Sequence, residues 1–186
     1  AAEACVAFSG RPERAGDLRD AVHLLRPGDL PGPGGETYLA WRRAVERPVS
    51  IKALGRALPT LEQGQIATWL DAGQGAPVGR AAMVLEAVFR AAPRAEVAAL
   101  ILAEAALAQA LGWDHLVPLL APGLKRADLR KQGDDLRLAS HRAIIPSVIE
   151  AARHAADLAR RAAHLTAVAP KLRAKGAGDA VEMFRT

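Results

Sequence analysis

The stretch Arg94-Ala-Glu-Val-Ala-Ala-Leu-Ile-Leu-Ala-Glu-Ala-Ala-Leu-Ala-Gln-Ala-Leu111 decides the fold class. Pro93 precedes it and Gly112 follows it, a start and a stop for one helix. Its residues are apolar around the whole circumference, so the helix must be buried on every side. It is rich in alanine, the best helix former and small enough to let helix axes approach closely. Glu104 and Gln109 interrupt the apolar run over 97–111, which is shorter than the ~20 residues of a membrane span.

The surroundings repeat the pattern more weakly. Apolar residues make up 51% of the chain and aromatics only 4%, so the core is built from Leu, Val, Ile and Ala. No stretch shows the sustained alternation of β-branched residues that marks a strand. Val78, Ala81, Ala82, Leu85, Val88 and Phe89 form a stripe at helical spacing over 78–92. A further helix runs from Asp134 to about residue 168 and contains Pro146. Shorter helices are expected over 1–8, from Pro12 to Leu25, over 36–47, over 51–58 with Ser50 as cap, and after the capping box Thr60-Leu-Glu-Gln63. The segment 125–132 reads as a short charged helix. Trp41, Trp69 and Trp113 fall where an apolar face is expected and read as core anchors. The expected architecture is an all-α, single-domain, irregular antiparallel bundle of roughly seven to nine helices with no β-sheet.

Cys5 is the only cysteine, which excludes an internal disulfide and a cysteine-based zinc site and suits a reducing, cytoplasmic setting. The chain starts Ala-Ala-Glu-Ala-Cys with no Met and no basic leader, and ends on Val181-Glu-Met-Phe-Arg-Thr186 in mid-pattern. It is expected to be a piece of a longer chain. Charge is uneven: residues 1–123 hold 12 Lys/Arg and 13 Asp/Glu, residues 124–186 hold 13 and 7. The whole net charge of +5 therefore comes from the last third. That asymmetry fits either an anionic partner, nucleic acid included, or a solvated helix surface.

Three groups of polar residues merit weighing. Asp17, Asp20 and His23 share a helix face, next to Arg26 and Asp29 in the loop Arg26-Pro-Gly-Asp-Leu-Pro-Gly-Pro-Gly-Gly35. An Asp that orients a His suits acid–base work, so Asp20, His23, Arg26 and Asp29 form the candidate polar site. No nucleophile or third metal-type ligand stands near them. The structural alternative has the Arg26 side chain tying the proline-stiffened loop to its carbonyls or to Asp29, and His23 closing a helix end. Glu150, Arg153, His154, Asp157, Arg160, Arg161 and His164 form a polar stripe with pairs four apart, which reads as a solvated face. Lys171, Arg173 and Lys175 lie in a basic, Gly-containing linker over 171–178. With Arg160 and Arg161 they are the candidate contacts to an anion or a nucleic-acid backbone. Base-stacking aromatics are missing there, and Asp179 and Glu182 beyond the linker would repel phosphate.

Asp20-Ala-Val-His-Leu-Leu-Arg-Pro-Gly-Asp29, Pro31-Gly-Pro33 and Trp41-Arg-Arg43 resemble a bacterial family of conserved hypothetical proteins, the domain of unknown function 1403 family. Leu111-Gly-Trp113, Val117-Pro-Leu-Leu120 and Ala169-Pro-Lys-Leu-Arg-Ala-Lys-Gly176 are similar to the same family. The resemblance implies a chain that runs beyond both ends of this one, and implies no reaction, cofactor or partner. The residues themselves favour a non-enzymatic helical module for a protein or nucleic-acid partner, with no metal or cofactor and no membrane span. The alternative is an enzyme or ligand binder at the Asp20 cluster.

Overall fold

A computed structural model describes residues 1–168. Among them are eight α-helices, one 3-10 turn and no strand. The contacts divide the chain into two compact units, Ala1–Ser147 and Val148–Thr186.

In the first unit the helices are α1 (Ala2–Phe8), α2 (Ala15–His23), α3 (Gly32–Val45), α4 (Ile51–Ala57), α5 (Gln63–Asp71), α6 (Pro77–Ala91) and α7 (Glu96–Ala110). The start of α8 (Gly133–Val168) belongs to it as well. Every residue of α7 from Ala98 to Ala108 is buried, as an all-round apolar helix requires. Helix α6 packs along it with Ala81, Ala82, Val84, Leu85 and Val88 inward, and this is the most extensive helix pair. Burying a leucine such as Leu100 or Leu102 stabilises the fold by about 1.5–3 kcal/mol each. Gly112 ends α7 at φ +68°, while the Trp113 N–H donates to the Ala108 carbonyl at 2.9 Å. That bond satisfies one of the carbonyls a helix end leaves unpaired, and a side chain would be strained at such a φ.

Five sequence expectations need correction. The capping box at Thr60 is not formed: α5 starts at Gln63, with Glu62 in the cap position and no side-chain bond to the helix start. Helix α3 starts at Gly32 rather than residue 36, so Pro33, Gly34 and Gly35 are helical. A Cβ on Gly34 would lie 2.9 Å from Leu18 Cδ2 of α2, and one on Gly35 would lie 2.7 Å from Pro31 Cβ, with Val22 Cγ2 at 3.4 Å. Gly34 lets α2 approach α3, and Gly35 makes room for Pro31; neither is there to bend a loop. Helix α2 starts at Ala15, not Pro12, because the Asp17 carboxylate accepts the Arg14 N–H at 2.9 Å and Glu3 of α1 accepts the Ala15 N–H at 3.2 Å. Only Leu18 of its expected inner face is fully buried. The charged helix over 125–132 shrinks to the 3-10 turn Asp128–Arg130. Trp113 is 40% exposed, while Trp41 and Trp69 are buried as anchors should be. The expected cap at Ser50 is present, its hydroxyl accepting the Ala53 N–H at 3.2 Å.

The connection after α7 is the other structural anchor. Leu116, Leu119, Leu120, Ala121 and Leu124 are buried there although none is helical. Gly123 meets the backbone of Ala143 so closely that no side chain fits between them. Leu136, Ala139, Ser140 and Ala143 are the buried residues of α8.

In the second unit the described residues are the helical turns 148–168 of α8. None of them is fully buried. Pro146 has no N–H, which leaves the Arg142 carbonyl without its helical donor, and the compact unit ends one residue later. Beside it, the Ser147 hydroxyl donates to the Ala143 carbonyl at 3.2 Å.

Candidate functional site

The expected polar cluster is at the surface. Asp20, His23, Arg26 and Asp29 are all exposed. Asp20 pairs with its neighbour Arg19 at 2.9 Å. The Asp29 carboxylate accepts the backbone N–H of Arg26 at 3.1 Å, and the Arg26 carbonyl accepts the Asp29 N–H at 3.0 Å. The loop is thus tied by Asp29 to the backbone of Arg26, whereas the guanidinium was expected to make the tie. None of the four lines the cavity beside Glu86 and Arg130 or the one beside Tyr38 and Trp41.

The polar stripe on α8 lies on an exposed face. Arg153 and His154 approach Glu150 at 3.6 and 3.5 Å. Arg160 and Arg161 reach Asp157 at 3.2 and 2.8 Å. Two of the five cations proposed for an anionic partner are therefore paired to a carboxylate. Lys171, Arg173 and Lys175 lie outside the described residues, as does the linker 171–178.

Alongside these charges runs a feature not read from the sequence. Val148, Ala151, Ala155, Leu158, Ala162 and Leu165 recur at steps of three and four, the spacing of a coiled-coil seam. Leu158 is 65% exposed and Leu165 62%. His154 and Arg161 occupy positions directly beside this seam, and Glu150 and Asp157 lie further round.

Glu104 was also missed, having served in the sequence only to interrupt an apolar run. It is fully buried in the middle of α7. Its Oε1 accepts the N–H groups of Leu120 and Ala121 at 2.7 and 3.0 Å. Its Oε2 has no partner. Burial pushes the carboxyl up to about 7, partly opposed by the amides that favour the ionised form. The group satisfies two donors of a buried non-helical segment that would otherwise be orphaned. Lone Glu in an all-round apolar helix was the available signal, but its partners lie 16 and 17 residues away. Cys5 is equally enclosed: the Trp41 Nε1–H donates to its Sγ at 3.2 Å. Burial pushes the thiol up to about 11, so it is no nucleophile.

Among the described residues no three of His, Cys, Asp and Glu gather as metal ligands. No described helix is long and apolar enough to cross a membrane. The model of the family described as "Protein of unknown function (DUF1403)" matches residues 1–186. The chain belongs to that family. Neither the curated proteins nor the solved structures yield a match.

Proposed function

We propose that the protein is a non-enzymatic, cytoplasmic helical module that docks a partner protein on the second half of α8. The partner element is an amphipathic helix with acidic flanks. The observation that carries this reading is the exposed seam from Val148 to Leu165. Small residues alternate with leucine along it, which lets a second helix approach closely. Its nearest flanking polar residues are His154 and Arg161, so two copies of the seam offer each other no opposite charge. Acidic flanks on the partner supply it. A nucleic-acid backbone would use the cations and leave the leucines in water. The alternative built on Asp20, His23, Arg26 and Asp29 has less support, because these side chains are exposed and do not converge.

The test uses two synthetic helical peptides with the same Leu/Ala seam, one flanked by Glu and one by Lys, together with a 20-base-pair duplex. The expected result is binding of the Glu-flanked peptide at least about tenfold tighter than the Lys-flanked one, lost in Leu158→Asp/Leu165→Asp. Binding of neither peptide overturns the reading. Salt-dependent duplex binding that survives the double substitution replaces it with the nucleic-acid reading. Self-association abolished by the same substitution replaces it with a second copy of this chain.

A further inference from the structure

A cavity of about 520 Å³ opens in the first unit. Its walls are the end of α6, the turn before α7, the start of α7, and the connection that carries the 3-10 turn. Phe89, Pro93 and Leu129 provide apolar surface. The size is that of a small-molecule site.

Its charges divide into engaged and unengaged groups. Glu86 pairs with Arg90 at 2.8 Å and accepts the Gly133 N–H at 3.0 Å. Lys131 pairs with Asp128 at 2.6 Å, and the same Asp128 accepts the Lys125 N–H at 2.9 Å, which fixes the turn. Arg126, Arg130 and Glu96 also line the cavity, and none of the three has an ion pair or side-chain hydrogen bond among the described residues. Two guanidiniums and one carboxylate thus remain, an excess of one positive charge beside apolar walls.

We propose that this cavity binds a monoanion with an apolar body, a carboxylate carrying an aryl or short alkyl group. The carboxylate takes the guanidiniums of Arg126 and Arg130, whose planar forks match its two oxygens. The apolar body lies against Phe89, Pro93 and Leu129. Glu96 sets the charge limit: it repels a second negative charge, so a phosphate dianion is disfavoured relative to a carboxylate.

Calorimetric titration of the 186-residue chain with 1-naphthoate, 1-naphthamide and 1-naphthyl phosphate tests this. Naphthoate is expected to bind at one site, and the neutral amide at least about tenfold more weakly. Arg126→Ala and Arg130→Ala should each weaken naphthoate by at least about tenfold at unchanged melting temperature, since both side chains are exposed. Glu96→Gln should tighten naphthyl phosphate more than naphthoate. Absence of naphthoate binding, equal affinity for acid and amide, or an affinity unmoved in both arginine variants overturns the site. Naphthyl phosphate bound more tightly than naphthoate, and unmoved by Glu96→Gln, overturns the choice of a monoanion.

Discussion

Helix α7 and the last turns of α8 are made from nearly the same residues, alanine and leucine with a few charges, and they end in opposite states. In α7 the alanines and leucines from 98 to 108 are buried and the one acid among them is buried too. Over 148–168 the leucines are exposed, and the charges pair with one another along the same helix. The difference lies in how charge is distributed round the helix. Helix α7 has no charged face, so it can only be central. The α8 segment has a charged face that keeps it solvated, and its apolar seam is exposed beside that face.

Four measurements test that contrast. Leu100→Ala should cost about 2–5 kcal/mol in denaturant unfolding, because Leu100 is fully buried and its truncation leaves a cavity. A cost below about 1 kcal/mol would mean that α7 is not the packing centre.

Glu104 gives the next largest effect, and it depends on pH. Its ordinary value is 4.5, and in the folded chain it titrates near 7. Between those values the unfolded chain has lost the proton and the folded chain keeps it. This group's contribution is therefore present in acid and is lost as pH rises towards 7, by up to about 3 kcal/mol. Glu104→Gln should remove that slope. Parallel stability curves for the two chains from pH 4.5 to 8 would refute the assignment.

The loop between α2 and α3 should respond on a smaller scale. Asp29→Ala removes the acceptor of the Arg26 N–H and should cost about 0.5–1.5 kcal/mol. Arg26→Ala should cost less than about 0.5 kcal/mol, because its side chain is exposed and makes no hydrogen bond among the described residues. The reverse order in thermal melts would restore the guanidinium as the tie.

The smallest effect is expected on the seam. Leu158→Ala should change unfolding stability by less than about 0.5 kcal/mol, in contrast to Leu100→Ala. A cost of about 2 kcal/mol or more would show that the seam is covered within the chain.

The elements whose signals are local were legible. Ser50 caps α4, Gly112 closes α7, and the α6 stripe faces inward, each readable from a few adjacent residues. What was not legible depends on distant partners. Pro33, Gly34 and Gly35 read as loop residues because their composition is that of loops; only the approach of Leu18 to Gly34 and of Pro31 to Gly35 shows why glycine sits inside a helix. Trp113 has the character of an anchor, yet it follows the terminating glycine and remains partly in water. Glu104 could be seen as odd, but not as the acceptor for Leu120 and Ala121. The cavity near Arg126 and Arg130 joins residues from 86 to 132, a separation no local pattern spans. The α8 seam is written in the local spacing, but its alanines and leucines do not tell an exposed face from a buried one.

The contact between Trp41 and Cys5 has an optical consequence. A thiol held against an indole quenches its emission, so Trp41 should be dim while α1 sits against α3. Trp113, partly in water, should emit at longer wavelength throughout. The chain therefore contains its own reporter: detachment of α1 would remove the thiol from Trp41 and brighten the total emission, with no label attached.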